Sequence, residues 1–148
     1  MSWWKRILTG EDDALSPTRL DYLNEGLALE RQGDFDGAVT SYQLALRDQP
    51  HSVKILQYIA IALSKTGRIE EAIRHYRRAL ELEPEAAGAN YGLAFLLLRR
   101  GDRDRAADHL RTFLAKPPRD SEMERWVGHA REVLTDLESA AVNEGGAS

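Results

Sequence analysis

A chain of 148 residues that is 43% hydrophobic and 30% charged has the length and balance of one folded domain with a continuous core, which excludes a disordered polymer. It contains no cysteine, so disulfides, thiolate catalysis and Cys-based metal sites are excluded, in keeping with a cytoplasmic setting. A net charge of −4 and the lack of aromatic interleaving among its basic residues argue against nucleic acid as a partner; no apolar run approaches the ~20 residues that span a bilayer, and no signal-peptide core follows Lys5-Arg6.

Residues 1–16 read as an amphipathic arm and connector. Ser2 is placed to cap a turn of helix with Trp3, Trp4, Ile7 and Leu8 on one side and Lys5 and Arg6 on the other, and Gly10 ends it. Glu11-Asp12-Asp13 is polar connector, and Ser16-Pro17 is a cap followed by a first helical residue. Two adjacent tryptophans are costly to leave in water. The arm has four destinations: the rest of this chain, a partner protein, a membrane interface, or a frayed end with no role.

Residues 17–50, 51–84 and 85–118 read as three helix pairs. The first predicts helices near Thr18–Arg31 and Phe35–Arg47, with Asp34 capping the second. The middle pair has the clearest pattern. Over Val53–Lys65, Leu56, Ile59, Ala60 and Leu63 recur at spacings of three and four, which is one helix face. Thr66-Gly67 breaks the pattern, and Glu70–Glu83 resumes it with Ala72, Ile73, Tyr76, Ala79 and Leu80 until Pro84 stops it. The third pair predicts helices near Ala89–Arg99 and Arg103–Ala115, with Asp102 as cap and Pro117-Pro118 as stop. Residues 119–141 read as a last helix opened by a Ser121/Glu124 capping box. Its stripe of Met123, Trp126, Val127, Ala130, Val133, Leu134 and Leu137 suits a cover for the third pair's apolar face. Residues 142–148, with Gly145-Gly146, read as a disordered tail.

The three pairs are copies of one plan. Gly33, Gly67 and Gly101 are spaced by 34 residues, as are Ala38, Ala72 and Ala106, and Pro50, Pro84 and Pro118. Tyr42 and Tyr76 match as well, with Leu110 third, and Ala45 and Ala79 are followed by Phe113. A repeat of this period with small residues where helices cross resembles the tetratricopeptide repeat family over Arg19–Asp120. Where that family usually has Trp near each repeat start, this chain has Tyr22, Leu56 and Asn90, and Glu25 stands where a Leu is usual. The resemblance implies an all-α helix-hairpin solenoid, a tetratricopeptide-like superhelix, whose first helices line an inner groove that binds protein segments.

Signs of chemistry are few. No phosphate-binding glycine loop and no Gly-x-Ser-x-Gly elbow occurs, since Gly88 and Gly92 fall inside a helix pattern. His75 and His109 hold equivalent places in adjacent repeats, roughly 10 Å apart at helix-packing distances, too far for one zinc ion without a third ligand between. The sequence therefore predicts no catalytic residue, no cofactor, no metal and no enzyme. The predicted groove comprises Leu20, Leu23 and Leu27, then Lys54, Tyr58, Ile61 and Lys65, then Gly88, Tyr91, Gly92, Phe95, Leu98 and Arg99. Family members that grip a C-terminal carboxylate use Lys, Asn and Arg at places held here by Leu23, Leu27, Tyr58, Gly88 and Gly92, which argues against that mode. Gly88 and Gly92 read as a notch for a partner's ring, although packing of these residues against neighbouring helices is the competing reading. The expected function is a cytoplasmic adaptor, scaffold or assembly module that takes an apolar or amphipathic protein segment. Two alternatives are a membrane-peripheral subunit of a membrane complex, tethered through Trp3 and Trp4, and a homo-oligomeric scaffold.

Overall fold

The computed structural model describes residues 21–146, so the expectations for Trp3, Trp4, Ile7, Leu8 and Leu20 lie outside the described residues. Seven α-helices follow one another among the described residues: α1 (Tyr22–Arg31), α2 (Phe35–Asp48), α3 (Val53–Lys65), α4 (Ile69–Leu82), α5 (Ala87–Arg99), α6 (Arg103–Ala115) and α7 (Glu124–Gly145). Each packs against the next in the chain, giving three hairpins and a terminal helix.

Every hairpin turns the same way because its glycine does. Gly33, Gly67 and Gly101 have φ of 82°, 80° and 88°, a conformation that costs a side chain energy and glycine almost nothing. One residue on, the N–H groups of Asp34, Arg68 and Asp102 donate to the carbonyls of Leu29, Leu63 and Leu97 at 2.9–3.0 Å. These close the preceding helix in a Schellman cap. Asp34 and Asp102 then cap the next helix, their carboxylates accepting from Gly37 N and Arg105 N. Arg68 makes no such cap; it pairs with Glu71 at 2.7 Å and with Asp36 on α2 of the preceding hairpin at 4.0 Å. Ser52 caps α3.

The apolar stripes meet as predicted. Leu56, Ile59, Ala60 and Leu63 face Ala72, Ile73, Tyr76 and Ala79 in a core that runs from α1 to α6 and takes in Tyr42 and Leu97. Ala72, Ala79 and Ala106 are fully buried, and their missing bulk is what lets backbones approach. A second cluster joins Ala94, Leu110 and Phe113 to Val127 and Ala130, so α7 covers the third hairpin's open face.

Two expectations near the C-terminus need correction. The capping box does not form: Asp120 accepts from Glu122 N and sets a 3₁₀ turn over Ser121–Met123, from which α7 starts without a side-chain cap. The last helix does not end at residue 141 as expected, because α7 continues to Gly145. Ala140 and Ala141 are strong helix formers, no breaker precedes Gly145, and Glu144 reaches Arg103 at 3.8 Å.

One buried polar pair replaces an aromatic at a hairpin start. Asn90, 2% exposed, donates through Nδ2 to the carbonyls of Pro84 and Ala86, which turns its Oδ1 toward His109. His109 must then donate from Nδ1, at 2.9 Å, and any added proton goes to Nε2. Burial chiefly, with the Arg77 charge, lowers the His109 pKa below its usual value, while Asp108 opposes the shift. A depressed folded pKa means the unfolded chain binds the proton first. His109 therefore contributes stability that is complete above the unfolded value near 6.5 and is lost as pH falls through the folded one. Melting curves at pH 7.5 and 5.5 should show a smaller pH-dependent drop for His109→Gln than for the wild type; equal drops would remove His109 from the account.

Candidate functional site

The first helices of the hairpins share one side of the stack. Helices α3 and α5 touch directly, whereas α2, α4 and α6 make no comparable contact with one another, so α3 and α5 lie on the inner side of the stack, and α1 holds the equivalent place by the 34-residue repeat. The residues predicted for the groove are sorted by burial on that face. Ile61 is 36% exposed at its centre, and Lys54, Lys65, Gly88 and Arg99 are exposed around it. Leu23, Leu27, Tyr58 and Leu98 are half-buried against the main core. Tyr58 lies stacked on Tyr42, ring centroids 5.6 Å apart, with the Lys54 Nζ 5.9 Å from its centroid.

Tyr91 and Phe95 belong to an aromatic cluster that α7 completes. Tyr91 meets Phe95 at 4.7 Å, Phe113 at 5.3 Å and Trp126 edge-on at 5.3 Å, while Phe95 stacks on His129 at 5.1 Å. These pairs favour tilted or offset geometry because ring faces are negative and edges positive. The terminal helix thus packs beyond the third hairpin, with Trp126 and His129 against Tyr91 and Phe95.

The glycine notch is corrected. A Cβ on Gly92 would come within 3 Å of the Tyr76 ring, and one on Gly88 within 3 Å of the Gln57 amide. The ring admitted at Gly92 is the chain's own, so this glycine serves helix packing. At Gly88 the neighbour is the flexible end of a side chain, and the position stays exposed.

Five groups near this face lie outside the predicted groove set. Arg31 and Gln57 occupy the same repeat positions as Lys65 and Tyr91, which the 34-residue period could have revealed. Trp126 and His129 required the placement of α7. Glu30 is of another kind: its Oε2 accepts from the Tyr42 hydroxyl at 3.2 Å, while its Oε1 is buried with no partner among the described residues. No group of three acidic, histidine or cysteine side chains among the described residues could hold a metal ion. No helix among them is long and apolar enough to cross a membrane.

Fold and face together define a helix-hairpin solenoid with an inner groove. Models of the tetratricopeptide repeat match residues 22–56 and 66–125, and the chain belongs to the tetratricopeptide repeat family. No curated protein matches it. Among solved structures, it is similar to the Yersinia enterocolitica type III secretion chaperone SycD in complex with a peptide of the translocator YopD (TM-score 0.77, 13% identity, 88% of this chain and 99% of that one). It is similar to the first repeat domain of Spaghetti (RPAP3) bound to the HSP90 peptide SRMEEVD (TM-score 0.71, 17% identity, 83% and 92%). It is also similar to MamA protein (TM-score 0.68, 22% identity, 81% of this chain), and spans 62% of that structure's length.

Proposed function

We propose that the chain is a non-catalytic interaction module that holds an apolar or amphipathic segment of a partner protein in the inner groove. The observation that carries this reading is Ile61, a large apolar side chain 36% exposed at the centre of the inner curve, with Leu27 half-buried on the preceding first helix and Phe95 on the next. Burying one such side chain contributes roughly 1.5–3 kcal/mol, so a few anchors support micromolar binding after the costs of association. The peptides named with two structurally similar proteins support the same reading by analogy. A cysteine-free chain suits a cytoplasmic setting.

Photo-crosslinking tests it. Benzoylphenylalanine at Ile61 should capture a protein in the native cell, and the same group at Arg78, exposed on the outer helix α4, should not. Capture from Arg78 alone, or from both positions equally, would overturn the groove as the site. The alternatives read from the sequence are separable by two further readouts. Self-association gives an adduct of twice the chain mass, and a membrane-peripheral role through Trp3 and Trp4 requires flotation with liposomes that Trp3→Ala/Trp4→Ala abolishes.

A further inference from the structure

The inner face carries two rows. Leu27, Ile61 and Phe95 stand 34 residues apart, each at the same place on α1, α3 and α5. Arg31, Lys65 and Arg99 stand at the same interval, each four residues later and so one turn along the same helix face. An apolar row and a basic row therefore run side by side across the stack, with about 5–6 Å between their Cβ atoms.

The basic row is exposed, and among the described residues none of its members has a carboxylate within ion-pairing distance. Lys65 rests instead over the Phe35 ring, 5.1 Å from its centroid. Elsewhere on the surface Arg100 pairs with Glu70 at 3.1 Å, and Arg111 with Asp108 and Glu138 at 2.9 and 3.3 Å, while Arg74, Arg77 and Arg78 on α4 have, like the row, no carboxylate within ion-pairing distance among the described residues. A cation in the last turn also suits a helix dipole. That effect is not general to the stack, because Arg47 stands in the last turn of α2 but α4 and α6 have no basic residue there.

Building on the reading of this face as a protein-binding groove, we propose that its occupant is an acidic amphipathic helix of a partner protein. Its apolar side rests on Leu27, Ile61 and Phe95, and its carboxylates meet Arg31, Lys65 and Arg99. The spacing fits. Packed helices lie about 8–10 Å apart, and seven residues of a helix rise about 10.5 Å. Carboxylates seven residues apart therefore meet successive cations as the segment crosses α1, α3 and α5. A flat anionic bilayer suits the rows less well, because they follow the inner curve.

A display library of 20-residue segments selected on the full chain tests this. Enriched segments should have Glu or Asp at seven-residue intervals beside an apolar stripe. A synthetic representative should bind about tenfold more weakly to Lys65→Glu/Arg99→Glu, and its Glu-to-Lys counterpart should regain that factor on the same variant. Both substituted side chains are exposed, and an unchanged melting temperature verifies folding. Enrichment of neutral or basic segments whose binding Ile61→Asp abolishes would overturn the acidic occupant while leaving the groove reading intact. No enrichment, or enrichment indifferent to Ile61→Asp, would overturn both. Sedimentation with phosphatidylserine vesicles that the double variant loses would make the rows a lipid site and overturn the proposal.

Discussion

Ending the chain at Asp120 should yield a protein that aggregates or melts about 10 °C or more below the full length. The truncation removes α7 and with it the cover over Leu110 and Phe113, which are 0% and 1% exposed. Tyr91 and Phe95 lose Trp126 and His129 at the same time. Re-exposing two large side chains forfeits roughly 3–6 kcal/mol, and each kcal/mol moves the melting point of a domain this size by about 2–4 °C. Further ring contacts are lost as well, so the lower end of that range is conservative. The check is calorimetry with light scattering on both proteins. A soluble monomer with an unchanged melting point would make α7 an independent appendage.

The second large effect has an unexpected sign. Gly-to-Ala within a helix ordinarily stabilises, by roughly 0.5–1 kcal/mol. At Gly92 it should destabilise, because the new Cβ would press on the buried Tyr76 ring, which has no free end to swing away. Overpacking of that kind costs about 1–3 kcal/mol and outweighs propensity. Gly26→Ala should behave alike against Tyr42. Gly128→Ala is the control: nothing lies within 4 Å of its Cβ position, so propensity acts alone and denaturant unfolding should move to a higher midpoint. Gly92→Ala at or above wild-type stability would show that α4 and α5 have room to separate.

These glycines mark where the sequence was legible and where it was not. The hairpins could be read because a 34-residue period, a left-handed glycine and a helical stripe all act locally and agree. Helix α4 begins at Ile69 against the expected Glu70, and α5 at Ala87 against Ala89. What failed was tertiary. That Gly92 is matched to Tyr76, sixteen residues back on another helix, follows from how hairpins stack and not from any spacing. The same holds for Asn90 with His109, and for the pairing of Phe95 with His129. Ser121 failed for a local reason, since Asp120 one residue earlier offered a competing cap. The charge pattern of the first helices emerges only when equivalent positions are compared, because Arg31, Lys65 and Arg99 lie 34 residues apart and no local spacing joins them.

The stacking order has a consequence for how the molecule fluctuates. Among the described residues, α3 and α4 have a hairpin on either side, whereas α1 and α7 have packing neighbours on one side only. In a linear array with nearest-neighbour coupling, opening works inward from the ends, as in a zipper. Within this set of helices the amides around Ile61 should then be among the slowest to exchange with solvent, which hydrogen-exchange measurements would check. The centre of the inner face would then be its most durable part, and the segment proposed to dock there would meet a firm middle between yielding ends.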